Sequence, residues 1–346
     1  MSEYPLSAAD LTLYDPFDGM RFSMHQCFLC GAPTTPPTDS VPVFAEWLME
    51  RYNLAVRPIK LLDMSIVNYQ DLRIACCPRC RTQHVEPLEA RVEEAANEGI
   101  SGLRRLDEQS LFLWLGKMFY GILITELLNE LDPLAKPQYP LAENAQMLRR
   151  FQAFFQPLQA LRVPIEYDDF VPGSIFILEA DPTEDHMAFE YDDDLSTIAF
   201  SIKLDNTVLM ACLVDNGIIA QAMRRVYQDA HRPLHPVQVA EFKARVYYAA
   251  YLLNVIPDYF TRPVKPGDTE VVMDTFIDDI TATVFNPWEN SGYAQSLLEM
   301  WKRWQIPLEE IMRDPEQPLS YLYDADGQPQ VMKHLAKEDG ENKEGK

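Results

Sequence analysis

Apolar positions recur at helical spacing across residues 109–131, where Leu111, Trp114, Leu115, Met118, Phe119 and Ile122 cover a wide face. A face that wide predicts a long, deeply buried helix. A second amphipathic stretch, 144–160, carries Met147, Phe151, Phe154 and Phe155, and shorter helical patterns fall at 43–53 and 87–97. The period then changes. Residues 173–180, 187–191, 196–204 and 207–214 read as strands of an antiparallel meander, punctuated by Asp181-Pro182, Asp192–Asp194, Asp205-Asn206 and Asn216-Gly217. Helices return at 219–230 and 237–254, one or two strands are expected within 271–285, and 293–313 is helical with a break at Pro307. A short hairpin is expected around Asp326-Gly327, and the charged tail 337–346 reads as disordered.

Two cysteine pairs interrupt this pattern: Cys27-Phe28-Leu29-Cys30 and Cys77-Pro78-Arg79-Cys80, with Cys76 directly before the second. Each pair spaces two thiolates for one tetrahedral ion, and the two together complete a closed S4 site. Soft thiolates in that geometry favour one structural zinc per chain, bound by Cys27, Cys30, Cys77 and Cys80. His25 and Cys76 are the alternative ligands, and Cys212 reads as core. The fold class is therefore α+β: an N-terminal zinc module over 1–95, a helical and antiparallel-sheet body over 96–336, and the tail.

Charge changes the picture next. Asp and Glu total 53 against 30 Lys and Arg, a formal charge of -23, and nucleic-acid binding normally requires a basic footprint. A protein partner is the expectation. The first residues lack a basic region followed by an apolar run, and Lys117, Glu126 and two glycines interrupt the longest apolar stretch, so the expectation is a cytoplasmic chain without a membrane span.

The cysteine segment resembles the HNH-type treble-clef zinc module of many bacterial proteins, across about a fifth of the chain (residues 22–95). That family's pattern is C-x2-C-G, then E-H-[IV]-[IF]-P-x-W-L, then C-x2-C-N. Here the three segments read CFLCG from Cys27, VPVFAEWL from Val41 and CPRCR from Cys77. The resemblance implies a treble-clef fold, and it places the family's general-base histidine at Pro42, its acidic neighbour at Val41 and its asparagine at Arg81. Proline has no titratable group and cannot activate water, so the resemblance implies a nuclease-like scaffold without the chemistry. The expected role is non-catalytic, in protein interaction. One alternative is a metal-dependent nuclease with a relocated site, needing His84 to meet Glu46 or Glu86; another is a small-molecule sensor with an apolar pocket between the sheet and the tyrosine-bearing helix.

Other constellations carry less. His231 and His235 stand four apart, but Pro233 and Pro236 break the helix that would align them, so a loop is expected. Asp192, Asp193 and Asp194 read as a polar turn between strands, with a divalent cation as the alternative. Asp274, Asp278 and Asp279 read as a solvated face. Phosphate-binding glycine loops and the G-x-S-x-G nucleophile motif are absent from the sequence.

Overall fold

The computed structural model describes residues 11–19, 21–62, 64–130, 141, 143–182, 187–277 and 283–332. The N-terminal third holds β1 (Ser40–Pro42), α1 (Glu46–Tyr52), β2 (Pro58–Lys60), β3 (Ile66–Asn68), β4 (Arg73–Ala75), the single turn α2 (Pro78–Cys80) and α3 (Glu86–Asn97). Next come α4 (Ile100–Leu103), the long α5 (Glu108–Glu130) and α6 (Ala145–Leu158). Strands follow as β5 (Ile165–Tyr167), β6 (Ser174–Glu179), β7 (Phe189–Asp194), β8 (Ala199–Leu204) and β9 (Thr207–Cys212). The chain continues through α7 (Ile218–Ala222), α8 (Arg224–Asp229), α9 (Pro236–Leu252), β10 (Pro257–Thr261), β11 (Val271–Ile277), α10 (Asn290–Met300) and α11 (Leu308–Ile311). Helices with antiparallel and mixed sheets make the class α+β, as the pattern predicted.

The sheet β6–β9 organises the body. Its strand order is β6-β9-β8-β7, with all pairings antiparallel. The expected meander holds for β7, β8 and β9, but β6 joins at β9 instead of β7, which gives a Greek-key order. The reason is burial: both β8 and β9 are buried along their whole length, so each needs a strand on either side and a layer on either face. Alternate residues divide between two cores. Ile177, Phe200, Ile202 and Leu209 face α5, α6 and the cysteine segment. Phe176, Leu178, Val208 and Met210 face α9. The opposite flank of α9 packs on α10 through Trp301, whose indole Nε1 donates to the Val237 carbonyl at 3.0 Å.

Helix α5 is apolar nearly all round because the protein encloses it. By length and composition it could cross a bilayer, yet 89% of its apolar window is buried inside the fold. Trp114, Phe119 and Leu123 are each fully buried, contributing about 2–3 kcal/mol apiece on transfer grounds. Gly121 lets β1 and β4 approach: a Cβ there would stand 2.4 Å from Val43 Cγ2.

The acidic triplet corrects one expectation. Asp192, Asp193 and Asp194 are not a turn but the second half of β7, opposite Ser201, Phe200 and Ala199. Asp192 pairs with Lys243 of α9 at 2.6 Å, and Asp194 caps Ser196 at 2.9 Å. Asp193 accepts from the Tyr191 hydroxyl. Burial pushes the Asp193 carboxyl up to about 6, with both neighbouring carboxylates adding to the rise. The segment 219–230 divides into α7 and α8 at Met223, and β5 pairs in parallel with β11, which the sequence pattern did not announce. Asp274 lies in β11 and pairs with Arg262 at 2.7 Å, while Asp278, Asp279 and the tail 337–346 lie outside the described residues.

Candidate metal centre

The first cysteine pair sits on a tight turn. The Gly31 N–H donates to the Cys27 carbonyl at 2.8 Å, and the Cys27 N–H donates to Ala32 O at 2.8 Å. Gly31 has φ +68°, and a Cβ at this position would meet the Tyr14 ring at 2.6 Å. Glycine therefore serves both the left-handed backbone and the close approach of Tyr14. The second pair opens a helix. Pro78 sits at the first helical position, where its missing N–H costs nothing, and the Cys80 N–H points at Cys77 Sγ from 3.5 Å. The Arg81 N–H closes the turn on the Cys77 carbonyl at 3.0 Å.

Three further contacts bring the pairs together. β1 and β4 pair antiparallel, with Ser40 opposite Ala75, which places the second pair at the end of a short ladder. The Phe28 N–H donates to the Ala75 carbonyl at 2.9 Å, crossing from the first turn to that ladder. Arg162, just past α6, donates through Nε to the Leu29 carbonyl at 2.8 Å. That clamp from the body was not visible as a sequence motif.

The result is a cluster of four sulfurs from Cys27, Cys30, Cys77 and Cys80, all within 4.8 Å of one another. Cys30 Sγ and Cys77 Sγ are 3.8 Å apart. A tetrahedral ion at about 2.3 Å from each sulfur demands sulfur–sulfur edges of about 3.8 Å. The four thiols thus fit one metal ion, with a sulfur at each of its four tetrahedral positions. All six cysteines are free. Without a cation the cluster supports little charge. Hydrogen bonds from Cys30, Cys76 and Cys80 hold the Cys27 thiol far below its ordinary value. The resulting negative charge raises its neighbours: Cys30 is pushed up to about 11, and Cys80 is pushed higher still, chiefly by its hydrogen bond to Cys27. A metal ion would offset that crowding, since its charge favours the deprotonated form of each ligand.

The remaining sequence candidates fall outside the cluster. His25 is exposed. Cys76 is buried behind Cys77, and its thiol is raised by the hydrogen bond to Cys27 and by burial. Cys212 belongs to the sheet core. His235 caps α9, accepting from the Val237 N–H through Nδ1 at 3.2 Å, while His231 Nδ1 lies 2.7 Å from the Tyr227 carbonyl. The two histidines are thus spoken for separately. His84 is half-buried; burial lowers its pKa, and Arg162 and Arg79 push the same way.

Next to Arg81, which follows the second cysteine pair, lies a cavity of about 320 Å³ between β1, α1, α3 and α5. Val41, Pro42 and Arg81 all line it, as do Glu46 and Glu86, whereas His84 does not. Its floor holds a buried ion pair: Lys117 is 1% exposed and donates to Glu89 Oε1 at 2.5 Å and to the Pro42 carbonyl at 3.2 Å. Glu89 Oε2 accepts from the Trp114 indole at 2.9 Å. Sequence reading missed this group, because Pro42, Glu89 and Lys117 share no motif. Between the sheet and α9, where a sensor pocket was the alternative, the cavity measures about 70 Å³, room for roughly two waters.

No family, no curated protein and no solved structure matches the chain in comparison.

Proposed function

We propose that this is a non-catalytic binding protein whose N-terminal module is held together by one structural zinc in a degenerate HNH-like treble clef. The carrying observation is the shared cavity of Val41, Pro42 and Arg81. Those are the positions at which the HNH resemblance puts an acidic residue, a general base and an asparagine. Their meeting at one cleft is the arrangement expected if the scaffold is nuclease-like. The order of parts supports the same reading: a cysteine turn, an antiparallel strand pair, then a helix opened by the second pair. None of the three side chains can take a proton from water at neutral pH. His84, the histidine that a relocated site would need, does not line the cleft and lies near Arg162 and Arg79, a cationic setting that disfavours a divalent ion.

Zinc follows from the ligand set, since four thiolates in a closed tetrahedron select it over hard cations. The net charge of -23 supports a protein partner over nucleic acid.

Elemental analysis of the purified protein, alongside Cys77→Ser, tests the metal. The expected result is about one zinc per chain, lost in the variant. Incubation with DNA and RNA in Mg²⁺ or Mn²⁺ tests the chemistry. Cleavage abolished by His84→Ala would overturn the non-catalytic reading; no cleavage by a zinc-loaded sample supports it.

A further inference from the structure

The four sulfurs of the cluster are not equally hidden. Cys27 is 0% exposed and Cys80 2%, while Cys77 is 9% exposed and Cys30 is only partly buried. The two least buried ligands are also neighbours across the pairs, with Cys30 Sγ 3.8 Å from Cys77 Sγ. A small oxidant arriving from solvent therefore meets Cys30 first and finds Cys77 next to it.

The surroundings suit attack by a thiolate. Reactive cysteines sit in electropositive, partly exposed settings. Arg79 stands inside the second pair, and Arg162 reaches the Leu29 carbonyl, one residue before Cys30. His84 lies close enough to Cys27, Arg79 and Arg162 to feel all three charges. These cations gather at the cysteines of a chain whose formal charge is -23. A metal ion keeps its cysteine ligands as thiolates, the form that attacks a peroxide.

We propose that the centre is a peroxide-responsive switch, in which oxidation joins Cys30 to Cys77 and releases the zinc. The proposal rests on the zinc reading above. The Cys30 thiolate attacks one oxygen of hydrogen peroxide; the O–O bond breaks, hydroxide leaves, and Cys30 becomes the sulfenic acid. The Cys77 thiolate then attacks the Cys30 sulfur; the S–S bond forms, the S–O bond breaks, and a second hydroxide leaves. Two protons from solvent turn the hydroxides into water, and peroxide takes up the two electrons that the sulfurs lose. The sulfurs close from 3.8 Å to a bond of about 2.05 Å, so the step needs side-chain movement. Only Cys27 and Cys80 remain of the four ligands. The new bond keeps residues 30 and 77 joined, so the module loosens without coming apart. Cys76, which contacts Cys27 but lies outside the four, takes no part.

The test uses the full chain, with zinc measured by elemental analysis before any oxidant is added. Hydrogen peroxide is then added in small steps beside a metallochromic chelator, against a sample without peroxide, and free thiols are counted throughout. One zinc should be released for every two thiols lost, while the sample without peroxide keeps its metal. Peptide mapping without reductant should find Cys30 joined to Cys77. Dithiothreitol with added zinc should restore both thiols and metal. Cys76→Ser, which keeps all four ligands, should release zinc at the parent's rate. A purified chain without zinc overturns the metal reading and the switch together. Zinc that peroxide does not release overturns the switch alone. So does release only after sulfinic acids form, a disulfide within either pair or through Cys76, or loss of release in Cys76→Ser.

Discussion

Replacing Glu89 by alanine should be among the most damaging single changes outside the cysteines. Glu89 answers two groups at once: the Lys117 ammonium at 2.5 Å and the Trp114 indole N–H at 2.9 Å. Lys117 is 1% exposed and Trp114 is 0% exposed, so in the folded chain each depends on Glu89 for its partner. A buried cation stripped of its partner costs about 3–5 kcal/mol, and a buried N–H left unpaired about 1–3 kcal/mol. The terms overlap, because the collapsed site relaxes as a unit, so the expected loss is about 4 kcal/mol or more. Adding Lys117→Met removes the stranded charge while nearly conserving volume. The double variant should therefore recover most of the loss and lie within about 2 kcal/mol of the parent. Urea denaturation of the parent, both single variants and the double variant gives the four stabilities of the cycle. A loss below about 1 kcal/mol for Glu89→Ala, or a double variant no better than the worse single, would refute the claim that the ion pair is buried and mutually required.

Three other outcomes follow from the geometry. Gly31→Ala forces a side chain into the left-handed region and against Tyr14 at 2.6 Å, so it should cost about 1–3 kcal/mol and speed zinc loss to a chelator; unchanged release kinetics would contradict the turn. Asp193 has a folded pKa of about 6 against an ordinary 3.8, so the folded state holds its proton longer and stability is lost as pH rises from about 4 to about 6; Asp193→Asn should lack that loss, up to about 3 kcal/mol, in parallel denaturation curves at the two pH values. Glu241, fully buried on α9, accepts from Ser320 Oγ at 2.6 Å and from the Tyr321 and Leu322 N–H groups at 2.6 and 2.9 Å, so Glu241→Ala should make the chain near 320 the first site of limited proteolysis.

The long helices were legible because their signal is local. In α5 and α6 the apolar residues recur at helical spacing within one element, and the observed bounds lie within about two residues of the expected ones. The cysteine cluster was legible for the same reason, each pair being a local spacing. The acidic half of β7 was not, since Asp192–Asp194 has no apolar alternation; β8 and Lys243 hold it as a strand. The three-residue strands β2, β3 and β5 are too short to show a period and are fixed by their partners. The cleft was invisible for a third reason. Pro42, Trp47, Glu89 and Lys117 lie on different elements, and only the packing of those elements brings them to one cleft, which no spacing encodes.

The Arg162 clamp on the first cysteine turn sets a schedule for synthesis. Its guanidinium holds the Leu29 carbonyl across 133 residues of sequence, whereas the Cys30 and Cys77 sulfurs that meet are only 47 apart. At elongation rates of about 5–20 residues per second, the clamp leaves the ribosome roughly seven to twenty-seven seconds after Leu29 emerges. The second cysteine pair arrives well before that. A nascent chain therefore has all four thiols in hand while the residue that fixes one of their turns is still being made. The four thiols are thus complete in an N-terminal segment whose final shape waits on the residues that run on to Arg162.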